Sequence, residues 1–158
     1  MIKKLFTLGL LTLCTLAAKA QTAENDSVKH LTFMGIPIEG SIDSFKDSME
    51  PKYKLKRKVG SENYFLFEGP MFGHNVYIQA YYSRKTRTPY RVVVSPKHLS
   101  LEVWQDSLIS TFGDPVRTEQ GLLWQRPEGM ILHYTPEGYD TALIFLDSKG
   151  NEAFREEK

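Results

Sequence analysis

The chain of 158 residues has one cysteine, Cys14, so neither a disulfide within the chain nor a thiolate metal cluster is available to it. It has no apolar run long enough to span a bilayer, since its longest, Leu5 to Leu16, is only twelve residues. Neither sign of charge dominates. Twenty basic residues face nineteen acidic ones, which argues against general nucleic-acid binding. The local signatures of common chemistries are missing as well: no HExxH, P-loop, GxGxxG or GxSxG is present. His30, His74, His98 and His133 form no i, i+4 pair, and the carboxylates are scattered singly. These absences point to no catalytic residues, no metal and no cofactor. An enzyme would have to assemble its site from residues distant in sequence.

The first twenty residues read as an export signal. Lys3 and Lys4 form a positive start, Leu5 to Leu16 the apolar centre, and Ala18-Lys19-Ala20 the small-residue cleavage site. Leu13 precedes Cys14 where a lipoprotein needs a small residue, so the expectation is a periplasmic or secreted protein and not a lipoprotein. Three lysines leave with residues 1–20, which lowers the basic count to 17 against 19 acidic. Residues 21–29 read as a flexible leader. Within them Asp26-Ser27-Val28 fits a short O-glycosylation acceptor pattern, which makes Ser27 a candidate modification site.

Two amphipathic helices organise the remainder. Ser100 to Pro115 carries an apolar stripe of Leu101, Trp104, Leu108 and Phe112, with Ser100 as N-cap and Gly113-Asp114-Pro115 as the stop. Gly40 to Pro51 repeats the plan, with Ser41 as cap and Ile42, Phe45 and Met49 as the stripe. A short strand, Leu31 to Ile36, precedes the first helix. Strands over Lys52–Val59, Tyr64–Glu68, Val76–Tyr82 and Tyr90–Ser95 follow it. Strands over Leu122–Arg126, Met130–Tyr134 and Thr141–Asp147 follow the second helix. Short turns imply antiparallel neighbours. The expected fold is α+β: two tandem helix-plus-antiparallel-meander units, 30–96 and 97–151, forming one sheet with helices on one face. A charged, frayed tail over 152–158 would end the chain.

The opening LTFMGIPIEGS, the later LISTFGDP and the strands after each helix resemble a group of small exported proteins of Gram-negative gut bacteria. The tandem plan is also similar to β-lactamase-inhibitor-like folds and to the small lipoprotein of the outer-membrane barrel-assembly machinery. These resemblances imply an envelope protein of this fold and bring no residue roles with them.

Alternation along each strand predicts which side chains leave the core. Val76, Ile78, Ala80, Val92, Val94, Phe65, Phe67, Trp124 and Leu132 face the helices. Lys54, Lys56, Tyr64, Tyr77, Gln79, Tyr81, Arg91, Gln125 and His133 then form the open face, a mixture suited to recognising a protein or a glycan. A second candidate is a basic end of the sheet, Lys58 with Arg84, Lys85 and Arg87, which would meet an anionic partner. Solvated lysines guarding an edge strand explain the same residues without a ligand. Two functions stand open. One is a non-enzymatic binding or inhibitor-like module of the envelope. The other is a small-ligand carrier or enzyme, favoured if a deep pocket is ringed by His133 and carboxylates. Cleavage after Ala20 predicts that protein recovered from its producing cell has an intact mass beginning at Gln21. Recovered protein that retains Met1 refutes the signal.

Overall fold

The computed structural model of the chain describes residues 29–59, 63–97, 101–135 and 141–157. The signal segment, Cys14, Ser27, His98, the Ser100 cap and the turn 136–140 lie outside them. The described residues form an α+β fold with a two-stranded hairpin and an eight-stranded antiparallel sheet.

The hairpin is β1 (Thr32–Phe33) and β2 (Ile36–Pro37). The sequence suggests one strand here, but Met34 and Gly35 both take positive φ, 47° and 84°. That pair makes the tight turn whose twist suits a two-residue hairpin. Ile38 N–H then donates to the Leu31 carbonyl at 2.8 Å. Helix α1 (Ile42–Met49) follows, with the Ser41 hydroxyl accepting from Ser44 N–H at 3.1 Å as the cap pattern requires.

The first meander is β3 (Lys54–Val59), β4 (Tyr64–Met71), β5 (His74–Tyr82) and β6 (Pro89–Pro96). Strand β4 passes through Gly69-Pro70, where the sequence suggests an end. Pro70 lies beyond the last β3 pair, Lys54 with Glu68, so its missing N–H costs no bond to that neighbour. A Cβ on Gly69 would come within 2.7 Å of the Tyr53 ring. The hairpin turns instead at Phe72-Gly73, again with two positive φ values, and His74 opens a strand rather than lying in a loop.

A 3-10 turn (Leu101–Trp104) leads into α2 (Gln105–Phe112), so the predicted single helix is tightened in its first turn. Its end is closed by the sheet. Gly113 takes φ 84°, and the Trp124 indole donates to the Gly113 carbonyl at 2.6 Å. Arg126 donates to the Phe112 carbonyl. The second meander is β7 (Val116–Thr118), β8 (Gly121–Arg126), β9 (Gly129–Tyr134) and β10 (Ala142–Asp147). The short edge strand β7 is absent from the sequence reading. With it, each half contributes four strands.

Strand order is β3-β4-β5-β6-β10-β9-β8-β7, so the last strand of each meander meets the other at the centre. Helices α1 and α2 pack on one side, called here the inner face. Phe112 contacts the rings of Trp124 and Phe145 at 5.7 and 5.8 Å, and Phe33 meets Phe145 edge-on at 5.1 Å. Ile42, Phe45, Met49, Leu101, Trp104 and Leu108 join the same core as Phe67, Ile78, Val92 and Leu143.

The residues expected to fray form a third helix, α3 (Ser148–Arg155). Its cap is Asp147, whose carboxylate accepts from Gly150 N–H at 2.8 Å. The same buried carboxylate accepts from Leu31 N–H at 2.7 Å and meets His30 Nδ1 at 3.0 Å. Phe154 stacks on Tyr90 at 4.3 Å, and Gly150 lies so close to Pro89 that a Cβ would collide with its carbonyl.

Trp104 is 1% exposed, stacked on His74 and edge-on to Phe72. Trp104→Ala should therefore lower unfolding free energy by about 3–5 kcal/mol in a denaturant titration. An unchanged midpoint would place the stripe outside the core.

Candidate binding face

The outer face of the sheet carries side chains from all eight strands. One cross-strand register row crosses it: Val116, Leu123, Leu132, Ile144, Val93, Gln79, Leu66 and Arg57. At about 4.8 Å per step the row is about 34 Å long. It begins with five apolar residues from five adjacent strands and ends on a guanidinium. The next row runs Gln125, Met130, Leu146, Arg91, Tyr81 and Tyr64. The face is thus apolar over β7 to β10 and aromatic with cations over β3 to β6.

Most of the predicted residues lie together on the second of these regions. Tyr64 and Tyr81 are paired rings at 4.9 Å, and Tyr64 is buried between its neighbours. Tyr81 donates to the Gln79 amide oxygen at 3.4 Å, and the Arg91 guanidinium lies 4.2 Å over the Tyr81 ring. Tyr77 is 38% exposed, with Lys97 Nζ 4.5 Å from its ring centre. Lys56, Arg57, Tyr64, Leu66, Tyr77, Gln79 and Ser95 line a groove of about 500 Å³. Gln125 is outward but stands apart, on β8 in the other half.

Glu68 anchors the cations at this groove. It meets Lys97 at 2.6 Å and Lys56 at 3.2 Å, and accepts from Asn75 at 2.9 Å. Hydrogen bonds from Lys97, Asn75 and Lys56 hold its carboxyl at about 2. Lys54 faces Glu68 in the register. Arg57 was not singled out by the sequence. A bulge between Leu55 and Arg57 shifts the alternation of β3 and sets Arg57 opposite Leu66. The same shift puts Lys58 opposite Phe65, in the register of an inner-face residue, so the strict alternation that aligned it with Lys54 and Lys56 fails.

The basic end is largely occupied by the chain itself. Arg84 donates to Asn63 at 3.2 Å, so the two turns do meet as expected. Arg87 reaches Asp43 of α1 at 2.7 Å, and that bond raises its pKa. The Glu157 carboxylate sits in the turn, accepting from the Ser83 hydroxyl and from Thr86 N–H at 3.1 Å. The Ser83 bond pulls the Glu157 pKa down. Lys85 is exposed, its backbone N–H donates to the Glu157 carboxylate at 3.5 Å, and its charge adds to the downward pull on the Glu157 pKa.

Comparison with known proteins returned nothing: no family model, no curated protein and no solved structure matches this chain.

His133 is the main correction. The expectation set Leu132 inward and His133 outward. Strand β9 has the opposite phase: Ile131 pairs with Trp124 and Phe145, and His133 with Leu122 and Leu143, all on the inner face. His133 is 2% exposed, and neither ring nitrogen has a hydrogen-bond partner among the described residues. It contributes to the wall of an open cleft of about 420 Å³ together with Glu102, Gln105, Arg117, Thr118 and Glu119. Its nitrogens are shut off from solvent, so the ring is a buried polar member of the core. Among the described residues no group of three His, Cys, Asp or Glu is placed to hold a metal.

Burial pushes the His133 pKa below its ordinary value, with Glu102 pulling weakly the other way. The folded state therefore favours the neutral ring. Its share of stability is present above the unfolded pKa of about 6.5 and falls as pH drops below it. His133→Leu removes an unpartnered polar group and should raise stability by about 1–3 kcal/mol at neutral pH. It should also flatten the loss of stability between about pH 7 and 5. Chemical denaturation across that range tests both. A less stable variant would mean that the imidazole nitrogens are satisfied.

Proposed function

We propose that the chain is a non-enzymatic, exported binding module of the bacterial cell envelope, and that it docks a protein partner on the open face of its sheet. The observation that carries this reading is the continuous outer row in which five apolar residues lead into Gln79, Leu66 and Arg57. Val116 is exposed and Leu123, Leu132, Ile144 and Val93 are half-buried, and contiguous apolar surface rimmed by polar groups is characteristic of docking sites. The cations of the β3 side outnumber Glu68, which favours a partner with acidic groups at that end. Export rests on the residue 1–20 pattern, and the tandem helix-plus-meander plan is consistent with the resemblance to inhibitor-like folds.

A small-ligand carrier is the alternative class. The cleft beside His133 has carboxylates in its wall, but it is open, and the imidazole nitrogens are withdrawn from it. That arrangement withholds the imidazole from acid–base work and leaves Glu102 and Glu119 as the exposed titratable groups of the cleft. Crosslinking separates the readings. A photoreactive residue at position 132 or 77 should capture one defined envelope protein, and a photoreactive residue at position 85 should not. Leu132→Asp, and Tyr77→Ala with Tyr81→Ala, should abolish capture in variants that retain the wild-type circular dichroism spectrum. Equal capture from positions 85 and 132, or undiminished capture by the folded variants, removes the face from the function.

A further inference from the structure

Where α3 meets the outer face, a second groove of about 470 Å³ opens between the helix and the sheet. Its floor is apolar, with Met130 and Leu132 from β9 and Ile144 and Leu146 from β10. Phe154, stacked on Tyr90, belongs to the helical side. Among the described residues the charged lining is Arg91 and Arg155, with no acidic side chain. Arg91 Nε is buried without a hydrogen-bond partner among the described residues, and its guanidinium is within cation–π distance of Tyr81 and Tyr90. Neither arginine meets a carboxylate among the described residues. The nearby Glu157 carboxylate is held instead by Ser83 and Thr86.

An apolar floor bordered by two unneutralised guanidiniums is complementary to a molecule with one hydrocarbon chain and one anionic head. We propose that this groove binds a free single-chain anionic amphiphile of the fatty-acid class. The chain lies on Ile144 and Leu146, and the carboxylate meets Arg91 and Arg155. Guanidinium pairs carboxylate in a planar, two-bond geometry that an ammonium cannot supply. The volume is that of a small-molecule site and suits one chain rather than a bilayer surface. The site does not depend on the docking reading, although it shares Leu132 and Ile144 with that face. An occupied groove would add the ligand's chain to the apolar surface there.

The test uses laurate below its micelle concentration, titrated into the protein from residue 21 onward and followed by calorimetry and methyl NMR. Saturable binding with shifts centred on Leu132, Ile144 and Leu146 is expected. Dodecyl maltoside, with the same chain and a neutral head, should bind at least tenfold more weakly. Arg155→Gln changes an exposed side chain and should weaken laurate about tenfold, a loss of 1.4 kcal/mol, without changing the melting temperature. Arg91→Gln should weaken it similarly. Equal affinity for laurate and the maltoside, or unchanged affinity in both arginine variants, overturns the proposal. Shifts confined to other residues also overturn it. Sedimentation with phosphatidylglycerol vesicles, without saturable laurate binding, would assign the groove to a membrane instead. Loss of laurate binding with partner capture intact would leave the docking reading standing, and the reverse result would leave the groove standing.

Discussion

The pairing of β6 with β10 holds the two halves of the molecule together. Arg91 to Val94 align with Leu146 to Leu143, residues about fifty positions apart in the chain. Without that ladder each meander would expose an apolar edge strand at its end. With it, Val92 and Val94 continue into Phe145 and Leu143, and one core spans both helices. The same ladder aligns Val93 with Ile144 on the other face, so the outer row exists only because the inner one does. Asp147 ends this strand and extends its influence. Its carboxylate ties the segment before β1 to the first turn of α3, and both chain ends of the domain depend on a residue adjacent to the central ladder.

The local signals in the sequence are legible where one physical explanation dominates. The stripe of Ile42, Phe45 and Met49 has no strand alternative, and Val76-Ile78-Ala80 has one apolar phase. Strand β9 differs: Met130, Leu132 and Tyr134 make the more apolar phase, and the other holds only Ile131 beside His133. With Leu132 in the core, His133 would stay in solvent. The structure chooses Ile131, because the neighbours on β8 and β10 must present Trp124 and Phe145 inward in the same register. Tertiary pairing thus overrode the cost of an unpartnered imidazole. Two hairpin turns were hidden because Met34 and Phe72 occupy a left-handed position that bulky residues seldom take. Helix α3 was hidden because its apolar content is little more than Phe154. Its stability comes from a cap, a stacked ring and Gly150's close approach, none of which has a local pattern.

The candidate face was legible in its first half for the same reason. Tyr77, Gln79, Tyr81 and Arg91 alternate with unmistakable core residues. Its apolar half was not legible, because Leu123, Leu132, Ile144 and Leu146 look like core residues in isolation. Their outward position follows only from the register. The basic turn was visible as charge, but the groups that neutralise it come from elsewhere in the chain. Asp43 lies on α1 and Glu157 beyond α3, both distant in sequence from Arg87 and Ser83.

The edges of the sheet explain why the face, and not the rim, is the surface to consider for binding. Strand β3 is bulged and carries Lys54, Lys56 and Arg57, while β7 is three residues long. Charge, a bulge and shortness are the devices by which an antiparallel sheet avoids adding foreign strands. Both edges of this sheet use them, so a partner gains little from the free backbone groups there. The outer face has no comparable protection over its second half. Five strands contribute partly exposed apolar side chains to one row, and among the described residues α3 borders that row through Asn151, Phe154 and Arg155 beside the strands β6, β10 and β9. A chain that guards both edges and leaves this face open directs association to the side chains of the outer rows. Recognition there would depend on the sequence of those rows, in contrast to strand addition, which depends mainly on backbone.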